Sequence, residues 1–411
     1  MGVVGIEELK PGMILASDIK TVNGRLILPK GLTLEAKHIE YLKSWGISRV
    51  AISGSSSSNS STKIKISQED LSKLENYLSP FYACNDFSKP FVKAMYYLAL
   101  TRLAKKLNQG WKIPDEDTFI PVDDGSYEDL FFKGEGDFKT LVQKEVELIS
   151  FPDIYFKIVE AINSPKSSAD YIANVVSKDP SLSAKLLRLV NSPFYGLSQK
   201  VETISRAVAI VGADELSTLA LGISAMSVFK DIPEKLIDVR SFWLHSISVG
   251  VIAKLLAQRS NLEPEKFFVA GLLHDIGRLV LFRQLPRLAT EALIYSYSNL
   301  VPLVDAEREV IGFDHALVGA SLIQAWKLPK TLGEAIKLHH YPGPYKKLEE
   351  GLIHLADFMA IGLHVAEKGS VVLPQLNQSI FNFINISKDE LKSLVNRAST
   401  EIEEITRIFL H

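Results

Sequence analysis

From residue 138 to the last residue, apolar side chains recur with the 3.6-residue period of a helix, interrupted only by short Ser-Pro, Asp-Pro, Asn-Ser-Pro and Leu-Pro stops. Strands need a period of two, so this stretch of about 270 residues can only become an all-α body. With 46% hydrophobic residues in 411, it can bury a core without covalent staples. The lone Cys84 forms neither an intramolecular disulfide nor a cysteine zinc cluster, and it fits a reducing cytoplasm. Forty-six basic against 48 acidic residues give a net charge of −2 and no general polycationic surface. Direct nucleic-acid binding and adhesion to anionic lipid are therefore not expected.

The remainder of the chain reads differently. Residues 13–34 hold two β-type runs around Asn23-Gly24, a dipeptide suited to a tight hairpin turn. A helical stretch at 35–45, Gly46 as its stop, and the run SRVAIS complete a small β-containing module over residues 1–53. The Ser-rich segment 54–63 has almost nothing to bury and reads as a tether. Residues 64–137 read as a helical connector, opened by the cap-like Ser67-x-x-Asp70, that passes into a Pro/Gly-rich loop. The start, MGVVGIEELKPG, lacks both the basic and the apolar segments of a signal peptide. The longest apolar stretch, 207–229, is cut by Asp214 and Glu215, so no membrane span is expected.

Function is concentrated in the histidines. Six of nine lie between 245 and 354. His274-Asp275 sits in FFVAGLLHDIGRLVLF, where burying a carboxylate and an imidazole costs several kcal/mol unless both are paired, hydrogen-bonded or bound to a metal. Gly277, just beyond, allows a helix or a ligand to approach closely. His245 lies in a core-like helix, His315 opens another, His339-His340 closes a third, and Asp357 sits in the middle of a fourth. Imidazole and carboxylate are the donors used by zinc, manganese and iron(II), and five histidines with two aspartates suit one or two such ions. Two adjacent cations clamp a phosphate and activate water. The competing reading is a set of separate core histidines satisfied by hydrogen bonds. Arg278 either meets a phosphate or caps the end of its helix. His354, three residues before Asp357, is placed to support it, while His38, His364 and His411 read as packing or surface residues.

These residues carry a resemblance. Residues 140–345 resemble an HDOD domain, the HD-related output domain of bacterial signalling proteins, through SKDPSLSAKLLRLVNSPFYG, VETISRAVAIVGADEL and LLHDIGRL. The N-terminal stretch is similar to the small domain that precedes some HD-GYP phosphodiesterases. The resemblance implies an all-helical HD-like bundle, with the HDOD domain at 138–345 and helices at 346–411 completing it. It maps the HD ligand order onto His245, His274, Asp275 and Asp357, and the extra HD-GYP histidines onto His315, His339 and His340. Two departures stand out: Ser241 stands where some HD-GYP proteins place an acidic residue four before the first histidine, and HHYPGPY replaces the GYP signature, with Arg278 where such enzymes carry lysine. The expected function is thus regulation through a protein partner, with a metal-capable HD site (Fe, Mn or Zn) and little or no turnover. The alternative is a metal-dependent phosphohydrolase acting on a cyclic dinucleotide or another phosphate ester, with Asp275 and Arg278 in catalytic roles.

Overall fold

A computed structural model describes the chain apart from residues 1, 7–8, 21–25, 45–46, 48, 54–65, 115–126, 149–152, 164–167, 198, 230–231, 233–235, 364–371 and 411. The Asn23-Gly24 turn, Gly46, the Ser-rich tether, His364 and His411 therefore lie outside the described residues. Two compact units emerge, Met1–Ile66 with Ile386–Glu404, and Ser67–Asn385 with Ile405–His411.

The first unit contains β1 (Gly2–Gly5), β2 (Ile19–Lys20), β3 (Leu26–Leu28), α1 (Ala36–Ser44) and β4 (Arg49–Ile52). Its β2 and β3 pair antiparallel on either side of Asn23-Gly24. The β1 strand, unanticipated in a stretch read only for targeting signals, pairs antiparallel with β4. Leu15, Leu34, Leu42, Val50 and Ile52 are buried between these elements.

The second unit is helical. It opens with α2 (Gln68–Leu78), α3 (Pro90–Asn108), α4 (Phe138–Leu148), α5 (Asp153–Asn163), α6 (Ala169–Ser177), α7 (Pro180–Val190), α8 (Ile204–Val211) and α9 (Ala213–Met226). It continues with α10 (Val239–Arg259), α11 (Pro264–Leu273), α12 (Ile276–Gln284), α13 (Pro286–Asn299), α14 (Leu303–Val310), α15 (His315–Ala325), α16 (Lys330–Leu338) and α17 (Leu348–Gly362). The last helix, α18 (Lys388–Leu410), contributes to both units. The fold is mainly α, as the apolar period requires.

Local chemistry sets many boundaries. Ser67 caps α2 by accepting from the Asp70 N–H, and Asp179 caps α7 by accepting from Leu182. Asn191 ends α7 and exchanges hydrogen bonds with both backbone groups of Val201, a fold role for the Asn-Ser-Pro exit. Gly212, at φ +107°, turns the chain by 117° between α8 and α9, which breaks the 207–229 apolar stretch in two. Among the described residues α10 alone has the length and apolarity of a spanning helix, yet 78% of its most apolar stretch is buried, as in a core helix. Tyr82, just past α2, donates to the Gly362 carbonyl, so residues 67–110 pack onto α17.

Two glycine contacts position the chemistry. Where α10 crosses α11, a Cβ on Gly271 would come within 2.7 Å of the Gly250 backbone, so both positions must lack a side chain for His245 and His274 to meet. Where α12 meets α15, a Cβ on Gly277 would overlap the His315 carbonyl oxygen. Of the two expected uses of Gly277, helix approach is the one seen. Gly277→Ala is therefore expected to destabilise the second unit by at least about 2 kcal/mol, because backbone rather than a flexible side chain must yield. Thermal melts monitored by circular dichroism check this, and an unchanged melting temperature would contradict the packing.

Candidate metal centre

The His274-Asp275 pair occupies the break between α11 and α12, with His274 fully buried and Asp275 4% exposed. α10 presents His245 to it, the N-terminus of α15 presents His315, the end of α16 presents His339 and His340, and α17 presents Asp357. All seven residues singled out in the sequence come together. His245 Nε2 lies 3.3 Å from His274 Nε2 and 3.1 Å from Asp357 Oδ1. Asp275 Oδ1 is 3.2 Å from His315 Nε2, 3.4 Å from His274 Nε2 and 3.7 Å from His339 Nε2.

Ring tautomers follow from the outer nitrogens. His274 Nδ1 lies 2.7 Å from the Gly271 carbonyl and His339 Nδ1 lies 2.5 Å from the Ile336 carbonyl. A carbonyl can only accept, so both Nδ1 atoms carry protons and both Nε2 lone pairs face inward. His315 Nδ1 is fixed likewise, 2.6 Å from Glu307 Oε2, which also accepts the His315 backbone N–H at 2.8 Å. Inside the cluster, His315 Nε2, His339 Nε2, His340 Nδ1 and Asp357 Oδ1 are buried and have no hydrogen-bond partner. Buried polar atoms are ordinarily satisfied, so imidazole and carboxylate atoms left facing chiefly one another fit a cation.

The donors form two overlapping groups, Asp275-His315-His339-His340 and His245-His274-Asp275, each with ligand atoms within 4.8 Å of one another. Asp275 belongs to both, as a carboxylate shared by two ions would. Nitrogen and oxygen donors of this kind suit zinc, manganese or iron(II). The competing reading, isolated histidines each satisfied by its own bonds, does not describe this geometry.

Electrostatics divide the cluster. Burial alone would push the Asp275 carboxyl up, but His274, Arg278 and His315 hold it well below the ordinary carboxylate range. Asp357 is likewise driven upward by burial and held well below that range by His245 and His274. Burial lowers His340 well below the usual imidazole value, with like charge from His339 and His315 adding to it, which favours the neutral ligand form. His315 goes the other way. Burial opposes its charge, yet Glu307 and Asp275 raise it to about 10.

Two expectations change. Arg278 lies in the first turn of α12 and bonds Asp275 Oδ2 at 2.9 Å, so it does not cap the end of that helix. His354 supports a different residue from Asp357. Its Nδ1 donates to the His339 carbonyl at 2.8 Å and its Nε2 accepts from the Asn377 N–H at 3.0 Å, which pins the paired histidines.

Glu307 escaped notice in the sequence, though its signal was present. In α14 the buried residues are Leu303, Val304, Ala306, Glu307 and Val310, so an acid occupies the apolar stripe. Glu307→Gln keeps the shape but weakens the orienting bond, and is expected to lower metal affinity 10–100-fold on the order typical of such partners. Competition titration with a chromogenic chelator reads this, and an unchanged affinity would remove Glu307 from the role.

Comparison with known proteins places the fold. Residues 148–342 match the family described as HDOD domain. An HDOD domain protein of unknown function from Geobacter sulfurreducens shares 24% identity at a TM-score of 0.51, over 66% of this chain and 98% of that one. An uncharacterized protein of Treponema pallidum is 26% identical over 266 residues, 62% of this chain and 50% of its own length. The probable nicotinate-nucleotide adenylyltransferase/Ap4A hydrolase of Mycoplasma genitalium is 31% identical over 116 residues, 28% of this chain and 30% of its own. The chain thus spans half or less of the length of these curated relatives.

Proposed function

With an HDOD domain established over residues 148–342 as the premise, we propose that this chain handles phosphate esters at a two-cation centre and hydrolyses them. The sequence alone favours little or no turnover. What shifts the balance is one observation, the convergence of unpartnered imidazole and carboxylate lone pairs on Asp275, a carboxylate common to both donor groups. Cations bound there would polarise a phosphoryl oxygen and lower the pKa of water. The chain's own groups do the rest. Asp275 spans the two donor groups, Glu307 and the Gly271 and Ile336 carbonyls fix the ring tautomers, and Arg278 brings a positive charge to the pocket beside them. A relative whose name includes an Ap4A hydrolase activity supports phosphate chemistry.

The test is turnover of p-nitrophenyl phosphate, bis-p-nitrophenyl phosphate and cyclic dinucleotides by the full chain loaded anaerobically with Mn²⁺ or Fe²⁺. Turnover of at least one substrate is expected, with Asp275→Asn reducing it by at least about 100-fold. No turnover of any with the metals bound would end the hydrolytic reading.

Signalling through a protein partner in a reducing cytoplasm is the second reading. It is favoured by Phe156 on α5 and Tyr171 on α6, which are 58% and 46% exposed on neighbouring helices of the HDOD body, a setting in which aromatic side chains commonly anchor partners.

A further inference from the structure

The helix that starts at Asp275 is tied down at its far end by residues outside the metal centre. α12 is nine residues long, with Asp275 as its N-cap and Gln284 as its last residue. In that last turn Arg283 Nη1 and Gln284 Nε2 each donate at 2.7 Å to the carboxylate of Glu145 on α4, which is fully buried. The connector adds to the tie. The Leu130 N–H donates to the Gln284 carbonyl at 2.8 Å, and Asp129 accepts from the Arg287 and Leu288 N–H groups at 2.8 and 3.2 Å. α13 has no cap from its own N-cap residue, so an acid 158 residues away in sequence satisfies its first N–H groups. Lys133 Nζ donates to the Glu309 carbonyl near the end of α14. Phe138, the first residue of α4, meets the ring of Phe313 just before His315. Residues 127–148 thus hold α12, which starts at Asp275, α14, which carries Glu307, and the approach to α15, which carries His315.

We propose that residues 127–148 are a strap that sets the occupancy of one ion position, Asp275-His315-His339-His340, and spares the other. This rests on the two-cation reading and adds a control to it. The asymmetry comes from the carboxylates. The His315 group has Asp275 alone, whereas His245 and His274 also have Asp357, its Oδ1 3.1 and 3.5 Å from their Nε2 atoms. α12 meets α15 backbone to backbone at Gly277, so a helix released at Gln284 shifts Asp275 against His315 with no flexible side chain between them to absorb it. That shift costs the His315 group its single negative ligand, while Asp357 on α17 keeps the other group charged. Asp129 and Glu145 act through α12 and are positioning residues.

Calorimetric titration of the full chain with Mn²⁺ tests this in two backgrounds, His245→Ala, which keeps the His315 group, and His340→Ala, which keeps the His245 group. Adding Asp129→Ala should weaken Mn²⁺ binding about ten-fold in the first and less than about two-fold in the second. By linkage the metal must in turn hold the strap. Hydrogen exchange of the Leu130, Arg287 and Leu288 N–H groups should therefore slow about ten-fold when Mn²⁺ is added to His245→Ala. The Leu182 N–H, capped on α7 by Asp179, should change less than about two-fold. Equal weakening in both backgrounds, weakening in neither, or strap exchange indifferent to Mn²⁺ would overturn the strap and leave the two ion positions intact. No Mn²⁺ bound by His245→Ala would overturn the two-cation reading and the strap with it.

Discussion

Stripping divalent cations from the purified chain is expected to lower the melting temperature of its second unit by on the order of 5 °C or more. The argument begins with cost. Two carboxylates and five imidazoles are gathered at the meeting point of helices from five parts of the sequence, and each ion taken from water costs several kcal/mol unless compensated. A ligand that binds only the folded state stabilises it by about 2.7 kcal/mol at one hundred times its dissociation constant. For large domains each kcal/mol is worth about 2–4 °C at most. Differential scanning calorimetry before chelation, after chelation and after Mn²⁺ is restored gives the answer. Full recovery on restoring metal separates this effect from irreversible damage. Identical melts in all three states would mean that the cluster is held by its own hydrogen bonds.

The helical body and the cluster were legible in the sequence for the same reason. A 3.6 period over a long stretch leaves few alternatives, and polar residues such as His274-Asp275 and Asp357 inside apolar runs declare themselves as costly. What did not show was anything set by pairing across distance. β1 is a four-residue strand whose partner lies at Arg49–Ile52, with no local signal beyond two valines. The helix crossings at Gly250 and Gly271 depend on which helices meet, which a period does not say. His354 was read against Asp357 because they share a helix, but its ring instead bridges the His339 carbonyl and the Asn377 N–H. Glu307 lies eight residues before His315, and only the folding back of α14 onto α15 brings its carboxylate to the ring. The cluster's membership was thus readable from solvation cost, and the groups that orient it were not.

Asp275→Asn should empty the whole centre, whereas loss of a single histidine should empty only part of it. The two donor groups share Asp275 alone, with His245 and His274 on one side and His315, His339 and His340 on the other. Replacing the shared carboxylate by an amide keeps the volume but removes the negative charge that both ions would need. It also leaves the Arg278 guanidinium facing a neutral partner at a site where burial makes an uncompensated charge expensive. His245→Ala acts on one group only. His245 has a 12% exposed side chain and is the ring nearest Asp357, so its loss should remove the ion held with His274 and leave the other. His340→Ala should do the reverse. Inductively coupled plasma mass spectrometry on the three variants, each first shown to be folded by circular dichroism, gives the metal per chain. The expected order is near zero for Asp275→Asn and about half of the parent content for each histidine variant. Asp275→Asn retaining as much metal as either histidine variant would refute a shared carboxylate. A parent content of one ion, lost in full from His245→Ala and kept in His340→Ala, would reduce the centre to the His245-His274-Asp275 group with Asp357 beside it.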